Sequence, residues 1–334
     1  MSDKKFIPLY LAPMEEITGY VFRNTIDKIY GGVDKYFTPF VTPNQNKILK
    51  TREGRELIPE HNKGLNVVPQ ILTNNAEHFL EMYDETLSSL GYKEINFNFG
   101  CPSNTVVKKN KGSGIFRDLY LLDDFLKETF DGLKDADVKV SVKTRIGIFD
   151  DEDFPDILNI YNKYPISELI IHPRVQKEFY SGKPHMETFD YAYHNAKMPV
   201  CYNGDIKTVQ DYIDITNKYP DLSGVMIGRG AVANPEVFSN IKNYLEDATK
   251  SEESINNILK YDSIDKKKLR EFCNNLLSTY ESEYSVIDGI SKMKEVWSYL
   301  YTAFPGCDKS IKNLRKAKSK AEYLGAVNEI FSMK

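Results

Sequence analysis

The sequence predicts an α/β protein, a (β/α)8 TIM barrel followed by an all-helical C-terminal domain, and three observations carry that expectation. Short runs rich in β-branched and aromatic residues recur eight times, each followed by a loop and a helix-like stretch, which is the pattern of parallel βα units. Eight such units occupy about 240 residues, the size of one closed barrel. After Glu246 the strand pattern stops and only helical spacing continues.

In chain order, the strand candidates are Leu9–Ala12, Lys35–Phe37, Val67–Ile71, Glu94–Asn98, Lys139–Lys143, Glu168–His172, Val200–Tyr202 and Val225–Ile227. Helical patterns lie between most of them, as at Asn75–Leu90, Leu119–Leu133, Phe154–Tyr164 and Val209–Lys218. Beyond the barrel, segments starting at Ser254, Lys266, Ile287 and Lys309 carry apolar spacing near 3.6, and the polar stretch Asp247–Glu253 suits a linker. The expected division is therefore a barrel over residues 1–246 and a helical domain over 250–334.

Composition narrows the class. At 334 residues, with 41% hydrophobic and 28% charged residues, the chain is an ordinary globular protein too long for a single small binding module. No run of 18 apolar residues offers a membrane span, and Pro8 and Pro13 interrupt the N-terminus too early for a signal peptide, so a cytoplasmic location is expected. Cys101, Cys201, Cys273 and Cys307 are too widely spaced for a CxxC pair, so reduced thiols are expected rather than structural zinc, a dithiol redox centre or an iron–sulfur cluster. The net charge of -4 is unevenly distributed: from Lys250 onward there are 15 basic against 12 acidic residues, leaving 29 against 36 in the rest. An acidic body carries a basic end.

Barrel enzymes build their sites at the C-terminal ends of the strands. Here those ends read APM, FTPF, PQIL, NFNFGCP, VKTR, IHPR, YNGD and IGRG, and they place Gln70, Asn98, Cys101, Lys143, His172, Asn203 and Arg229 at equivalent positions. The loops after the last two strands hold Asn203-Gly204-Asp205 and Gly228-Arg229-Gly230, where glycines admit backbone amides to an anion and Arg229 adds a fork of donors. Tight turns are the plain alternative for these glycines. Cys101, set between Gly100 and Pro102 and followed by Lys111-Gly112-Ser113-Gly114, can be a nucleophile, a general acid or an inert buried thiol. Lys143 would put an ammonium inside the barrel mouth, where it needs an anion; a reduced flavin is one candidate and a carboxylate such as Asp205 another.

Together these residues resemble the flavin-dependent dihydrouridine synthases, which act on RNA, chiefly tRNA. The resemblance runs from Ala12-Pro13-Met14 with Thr18 and Phe22-Arg23, through Asn98–Pro102, Lys143, His172 with Arg174, Asn203–Asp205 and Gly228–Gly230, into the helical domain. It implies FMN at the barrel mouth, NADPH as electron donor, and reduction of the C5=C6 bond of a uridine. By the same resemblance, Ala12, Pro13, Met14, Gln70, Lys143, His172, Asn203, Gly204, Asp205, Gly228 and Arg229 are FMN contacts. Cys101 gives a proton to uridine C5 after hydride reaches C6, and Asn98 and Arg174 are substrate contacts.

The helical domain is then expected to dock RNA. Lys309, Lys312, Lys316 and Lys320, at spacings of 3, 4 and 4, would form one basic helix face while Ile311 and Leu314 turn inward. No metal, membrane or obligatory protein partner is implied. Glu16, Asn104 and Phe189 depart from the family's usual glycine, lysine and tryptophan, which leaves open which uridine is modified. Two rivals stand beside this reading. A small-molecule FMN oxidoreductase of dihydroorotate dehydrogenase type would not require the helical domain, and a non-catalytic RNA-binding barrel protein would be colourless.

Overall fold

The computed structural model describes residues 6–43, 52–248 and 258–333. Nine parallel strand segments form one sheet: β1 Leu9–Leu11, β2 Lys35–Phe37, β3 Val67–Val68, β4 Gln70–Ile71, β5 Glu94–Phe99, β6 Lys139–Thr144, β7 Leu169–Ile171, β8 Val200–Tyr202 and β9 Gly224–Ile227. Their order is β3-β2-β1-β9-β8-β7-β6-β5-β4. The two edge segments, β3 and β4, are separated only by Pro69, which has no N–H to give to the ladder. One chain segment is therefore both edges, and the sheet closes into the eight-stranded barrel that the sequence predicts. Two of the eight expected strands, Lys35–Phe37 and Val200–Tyr202, are matched residue for residue.

Strand β5 shows why the barrel interior is partly polar. Its sequence EINFNF alternates, so Glu94, Asn96 and Asn98 share one face while Ile95, Phe97 and Phe99 share the other. The aromatic face packs outward on the surrounding helices: Phe97 meets Phe79 and Phe125 edge-on at centroid distances of 4.9 and 5.0 Å, and Phe99 stacks with Tyr161 at 6.4 Å. Inside the barrel, a buried apolar cluster of Tyr10, Ala12, Phe37, Val68, Ile170, Cys201 and Met226 fills the rest.

The helices start where short polar side chains satisfy free amides. Asp118 accepts from the amides of Tyr120 and Leu121 at the start of Leu119–Gly132, and Asn75 accepts from His78 at the start of Ala76–Met82. The helix expected over Asn75–Leu90 is broken into Ala76–Met82, a wide π-type turn at Tyr83–Leu87 and a tight turn at Ser88–Leu90 that ends on left-handed Gly91. Asp247, expected to begin the linker, lies within the helix Val237–Ala248. The helix expected from Ser254, and most of that linker, lie outside the described residues.

The described residues group into two compact units. The first draws on Met1–Pro13, Asp34–Gly204 and Thr216–Met226 and contains nearly all of the sheet. The second draws on Met14–Val33, Asp205–Ile215 and Ile227–Lys334 and is helical. Within it, the helix Tyr20–Ile29 packs on Lys266–Glu283, where Phe22 meets Phe272 edge-on at 5.5 Å. Lys266–Glu283 packs in turn on Val286–Leu300, whose Trp297 is fully buried and donates to the Tyr323 hydroxyl at 3.0 Å. Among the described residues no helix is long and apolar enough to cross a membrane.

The basic strip differs from expectation. Lys309, Lys312 and Lys316 are exposed on the helix Asp308–Lys316, with Ile311 and Leu314 buried beneath. Lys320 belongs to the next helix, Lys320–Ser332, because the Ser319 hydroxyl caps a new N-terminus by accepting from the Glu322 amide. Its ammonium meets Glu281 at 2.7 Å, so the four lysines do not share one helix face.

Candidate active site

Cys101 is the second residue beyond β5 and is the one cysteine of the four that is not buried. The turn carrying it is held by side chains at every peptide unit from Gly100 to Pro102. Asn98 Oδ1 accepts from the amides of Gly100 and Cys101, at 3.0 and 2.8 Å. Arg145 Nε donates to the Gly100 carbonyl at 3.0 Å, Ser113 donates to the Cys101 carbonyl through both amide and hydroxyl, at 3.1 and 2.9 Å, and Gln176 Nε2 donates to the Pro102 carbonyl at 3.0 Å. Gly112 makes the Ser113 contact feasible. Its φ is +56°, and a Cβ there would stand 2.7 Å from the Cys101 carbonyl oxygen.

Arg145 also ties this turn to the loop after β7, donating to the carbonyls of Val175 at 2.8 Å and Phe179 at 2.6 Å. The sequence points to Lys143 in the run VKTR, yet Arg145, two residues on, does the holding. Sidedness was the available clue, since alternate positions of β6 share a face. Gln176 and Ser113 carry no such signal, because they lie in irregular segments.

Lys143 is the group best placed to receive an anion. The β5–β6 register sets it opposite Asn98, and it has no hydrogen-bond or ion-pair partner among the described residues. Burial, followed by the like charge of Arg145, pushes its ammonium down to about 8. The alternative partner Asp205 is taken, since its carboxylate meets Arg229 at 2.5 Å within the second unit. There, Gly230 follows Arg229 at a close approach, where a Cβ would lie 2.0 Å from the Ile206 carbonyl oxygen.

Two expected ligand contacts are spent elsewhere. Gln70 is 0% exposed, its amide held between Asn98 and Asn96 at 2.8 Å on each side. It braces Asn98. Arg174 is likewise 0% exposed, donating to the Ser181 and Gly182 carbonyls at 3.0 and 2.7 Å and lying 3.4 Å from His172 Nε2. It builds the loop after β7. Asn98 is partly diverted as well, with one amide N–H left once Gln70 and the Cys101 turn are served. His172 and Asn203 are nearly buried at their strand ends, and Asn203 Nδ2 donates to the Met226 carbonyl at 2.9 Å. Ala12 is buried, whereas Pro13, Met14, Gly204 and Gly228 keep partial exposure. Glu16 has a φ of 64°, the left-handed conformation that glycine adopts freely, and its carboxylate lies 3.5 Å from Lys292 within the second unit.

A family model described as dihydrouridine synthase (Dus) matches residues 10–331. A "Probable tRNA-dihydrouridine synthase" of Staphylococcus epidermidis is 33% identical over 238 residues, covering 68% of this chain and 70% of that protein. The protein of that name in Aquifex aeolicus is 24% identical over 315 residues, covering 93% and 96%. Among solved structures, morphinone reductase aligns with a TM-score of 0.49 at 10% identity, over 71% of this chain and 85% of that one.

The loops after β6 and β7 share one further fastening. His185 presents Nδ1 to Asp151 at 3.1 Å and Nε2 to Glu178 at 2.9 Å. A neutral imidazole has one N–H, so two carboxylates at once call for the imidazolium. Burial works against that charge, but the contacts with Glu178 and Asp151 outweigh it and raise the His185 pKa above 6.5. Against the opposing effect of burial, Thr188 and then His185 hold Asp151 below 3.8, and His185 with the Val175 amide holds Glu178 below 4.5. The raised histidine stabilises fully below 6.5 and less as pH rises through its folded value, while the depressed carboxylates lose their share only as pH falls below 4.5. The clamp is thus strongest between 4.5 and 6.5. We expect the Tm difference between wild type and His185→Gln to be largest near about pH 6 and to shrink toward about pH 9. Thermal scans across that range check it; a constant difference would mean that the ring is not charged.

Proposed function

The chain belongs to the dihydrouridine synthase family, and from that premise we propose that it reduces the C5=C6 bond of uridines in RNA, with tRNA as substrate, to dihydrouridine. The observation that carries this reading is the Cys101 turn: one partly exposed thiol at a barrel mouth, with its backbone immobilised by Asn98, Arg145, Ser113 and Gln176. An ordinary thiol retains its proton at neutral pH and can give it up to a carbanion-like carbon. Holding the turn fixes where that proton is delivered. A target base must leave its stack to reach such a mouth.

We assign FMN as the cofactor and NADPH as the electron donor, because the residues fit an anionic ring. Lys143 is an unpartnered ammonium half-buried at the mouth, and His172 and Asn203 end the neighbouring strands. FMN, when bound, supplies the two-electron reduction. Ala12, Pro13, Lys143, His172, Asn203 and Gly204 of the first unit would hold it, and Met14, Asp205, Gly228 and Arg229 of the second keep their proposed cofactor role. Gln70 acts only behind Asn98. Residues 1–246 form the catalytic part and 250–334 dock RNA in this proposal, with Lys309, Lys312 and Lys316 as phosphate contacts and a cytoplasmic site of action. Loss of dihydrouridine from the tRNA of cells lacking the protein, read by nucleoside mass spectrometry, tests the function; an unchanged dihydrouridine map overturns it.

Three outcomes follow from the residues. Purified protein should be yellow, and Arg229→Ala, by removing a charged donor typically worth roughly 1.5–3 kcal/mol, should weaken flavin retention tenfold or more, as measured by fluorescence titration. Cys101→Ala should keep its flavin and its reduction by NADPH yet form dihydrouridine about 100-fold more slowly with RNA saturating; turnover at the wild-type rate removes the thiol from the chemistry. Changing Lys309, Lys312 and Lys316 to Glu should weaken RNA binding and flatten the plot of log affinity against log salt by about 0.7–0.9 for each phosphate no longer neutralised. Lys320 is left intact in that variant because it serves Glu281. Unchanged affinity and slope would make these lysines a solvated face.

A further inference from the structure

Strand β5 sends Glu94, Asn96 and Asn98 to one face, and hydrogen bonds through two neighbouring strands join them into a line. Asn98 Nδ2 donates to Gln70 Oε1 at 2.8 Å, and Gln70 Nε2 donates to Asn96 Oδ1 at 2.8 Å. Asn96 Nδ2 donates to Ser141 Oγ at 2.9 Å, and the Ser141 hydroxyl donates to Glu94 Oε1 at 2.7 Å. Lys35 meets the other Glu94 oxygen at 3.0 Å, and Lys35 is held charged above its usual pKa because Glu168 and Glu94 outweigh its burial.

We propose that Glu94, at the opposite end of β5 from the mouth, is a positioning residue for Cys101, acting through this one-way chain of donors. Amides and hydroxyls are reversible links, because each can turn over and exchange its donor and acceptor. A carboxylate only accepts. Glu94 therefore obliges Ser141 to donate to it and to accept from Asn96. Asn96 must then accept from Gln70, and Gln70 from Asn98. By elimination Asn98 Oδ1 is turned toward the Gly100 and Cys101 amides. The reversed chain would set an NH2 against two backbone N–H groups at a residue only 8% exposed, where water can hardly stand in. The Ile95 carbonyl, 3.5 Å from Ser141 Oγ, is the weaker alternative acceptor.

The role in catalysis rests on Cys101 being the proton donor, but the hydrogen-bond argument does not, and the experiment separates them. Glu94→Gln removes the acceptor-only end, so that only the Gly100 and Cys101 amides oppose reversal, and Ser141→Ala cuts the chain away from the Lys35 ion pair, which keeps the test available if the first variant unfolds. Asn96→Asp, added to Glu94→Gln, restores an acceptor-only group one link higher. Hydrogen exchange of peptides spanning Gly100 and Cys101 in the purified holoenzyme should show about tenfold less protection in Glu94→Gln and in Ser141→Ala, as expected when each amide forfeits one hydrogen bond. Protection should return in the Glu94→Gln, Asn96→Asp double variant. With tRNA as substrate, kcat should fall by a similar factor while KM stays unchanged. Unaltered protection in both single variants overturns the proposal, as does a loss that Asn96→Asp fails to rescue, which would make Glu94 a fold residue only. Lost protection with full kcat overturns the positioning role, while wild-type turnover in Cys101→Ala rejects only the thiol's part in the reaction.

Discussion

A buried amide left without a partner would cost about 1–3 kcal/mol, and this barrel places three buried side-chain amides in a row, Gln70, Asn96 and Asn98. That cost is the constraint on which the mouth depends. The three can be tolerated only as a complete chain, since a half-satisfied polar network is worse than an apolar core. Completeness here requires the register that sets Gln70 opposite Asn96 and Asn96 opposite Ser141, which is a property of β4, β5 and β6 as a set. The Cys101 turn inherits its geometry from that register. A slip of one residue in β5 would send Phe97 inward and Asn98 out among the helices, and the thiol would lose its holder.

Much of this architecture was readable in the sequence, for reasons that differ between elements. Parallel strands enclosed on both faces appear as short apolar runs, which is why Val200–Tyr202 and Lys35–Phe37 stand out. The strand-end rule found the mouth but could not tell a side chain that faces it from one that braces it. Gln70 and Arg174 sit at strand ends as expected, yet both are consumed by neighbours that only the register and the loop path bring near. Arg145 is the converse case, outside the strand by one residue and central to the turn.

The break between Lys316 and Lys320 was legible and outweighed by the lysine spacing. Ser319 followed by Glu322 is the sequence pattern of a helix start, and the hydroxyl of Ser319 does cap that end. Charge spacing says which residues would share a face if the helix continued; capping residues say whether it continues. Glu281 adds a second lesson, because an acidic residue 39 positions away in sequence turns an expected RNA contact into an intramolecular ion pair.

The ion pairs of Lys35 with Glu94 and Glu168 lie at the N-terminal ends of their strands, away from the loops that carry chemistry. Partly buried charges such as these add little stability and are often replaceable by apolar residues without loss. An apolar layer at that depth would close the barrel equally well, but it would leave Ser141 without an obligatory acceptor. Only the Gly100 and Cys101 amides, which need an acceptor, would then set the direction in which the amides above it point. A carboxylate there fixes the same direction from the far end of the chain, with the Lys35 ammonium against its other oxygen. A group at the far end of the barrel thereby reinforces one of two isosteric arrangements at the mouth. The distinction between residues that hold the fold and residues that hold the site is not drawn by distance in this barrel; it is drawn by which hydrogen bonds are reversible.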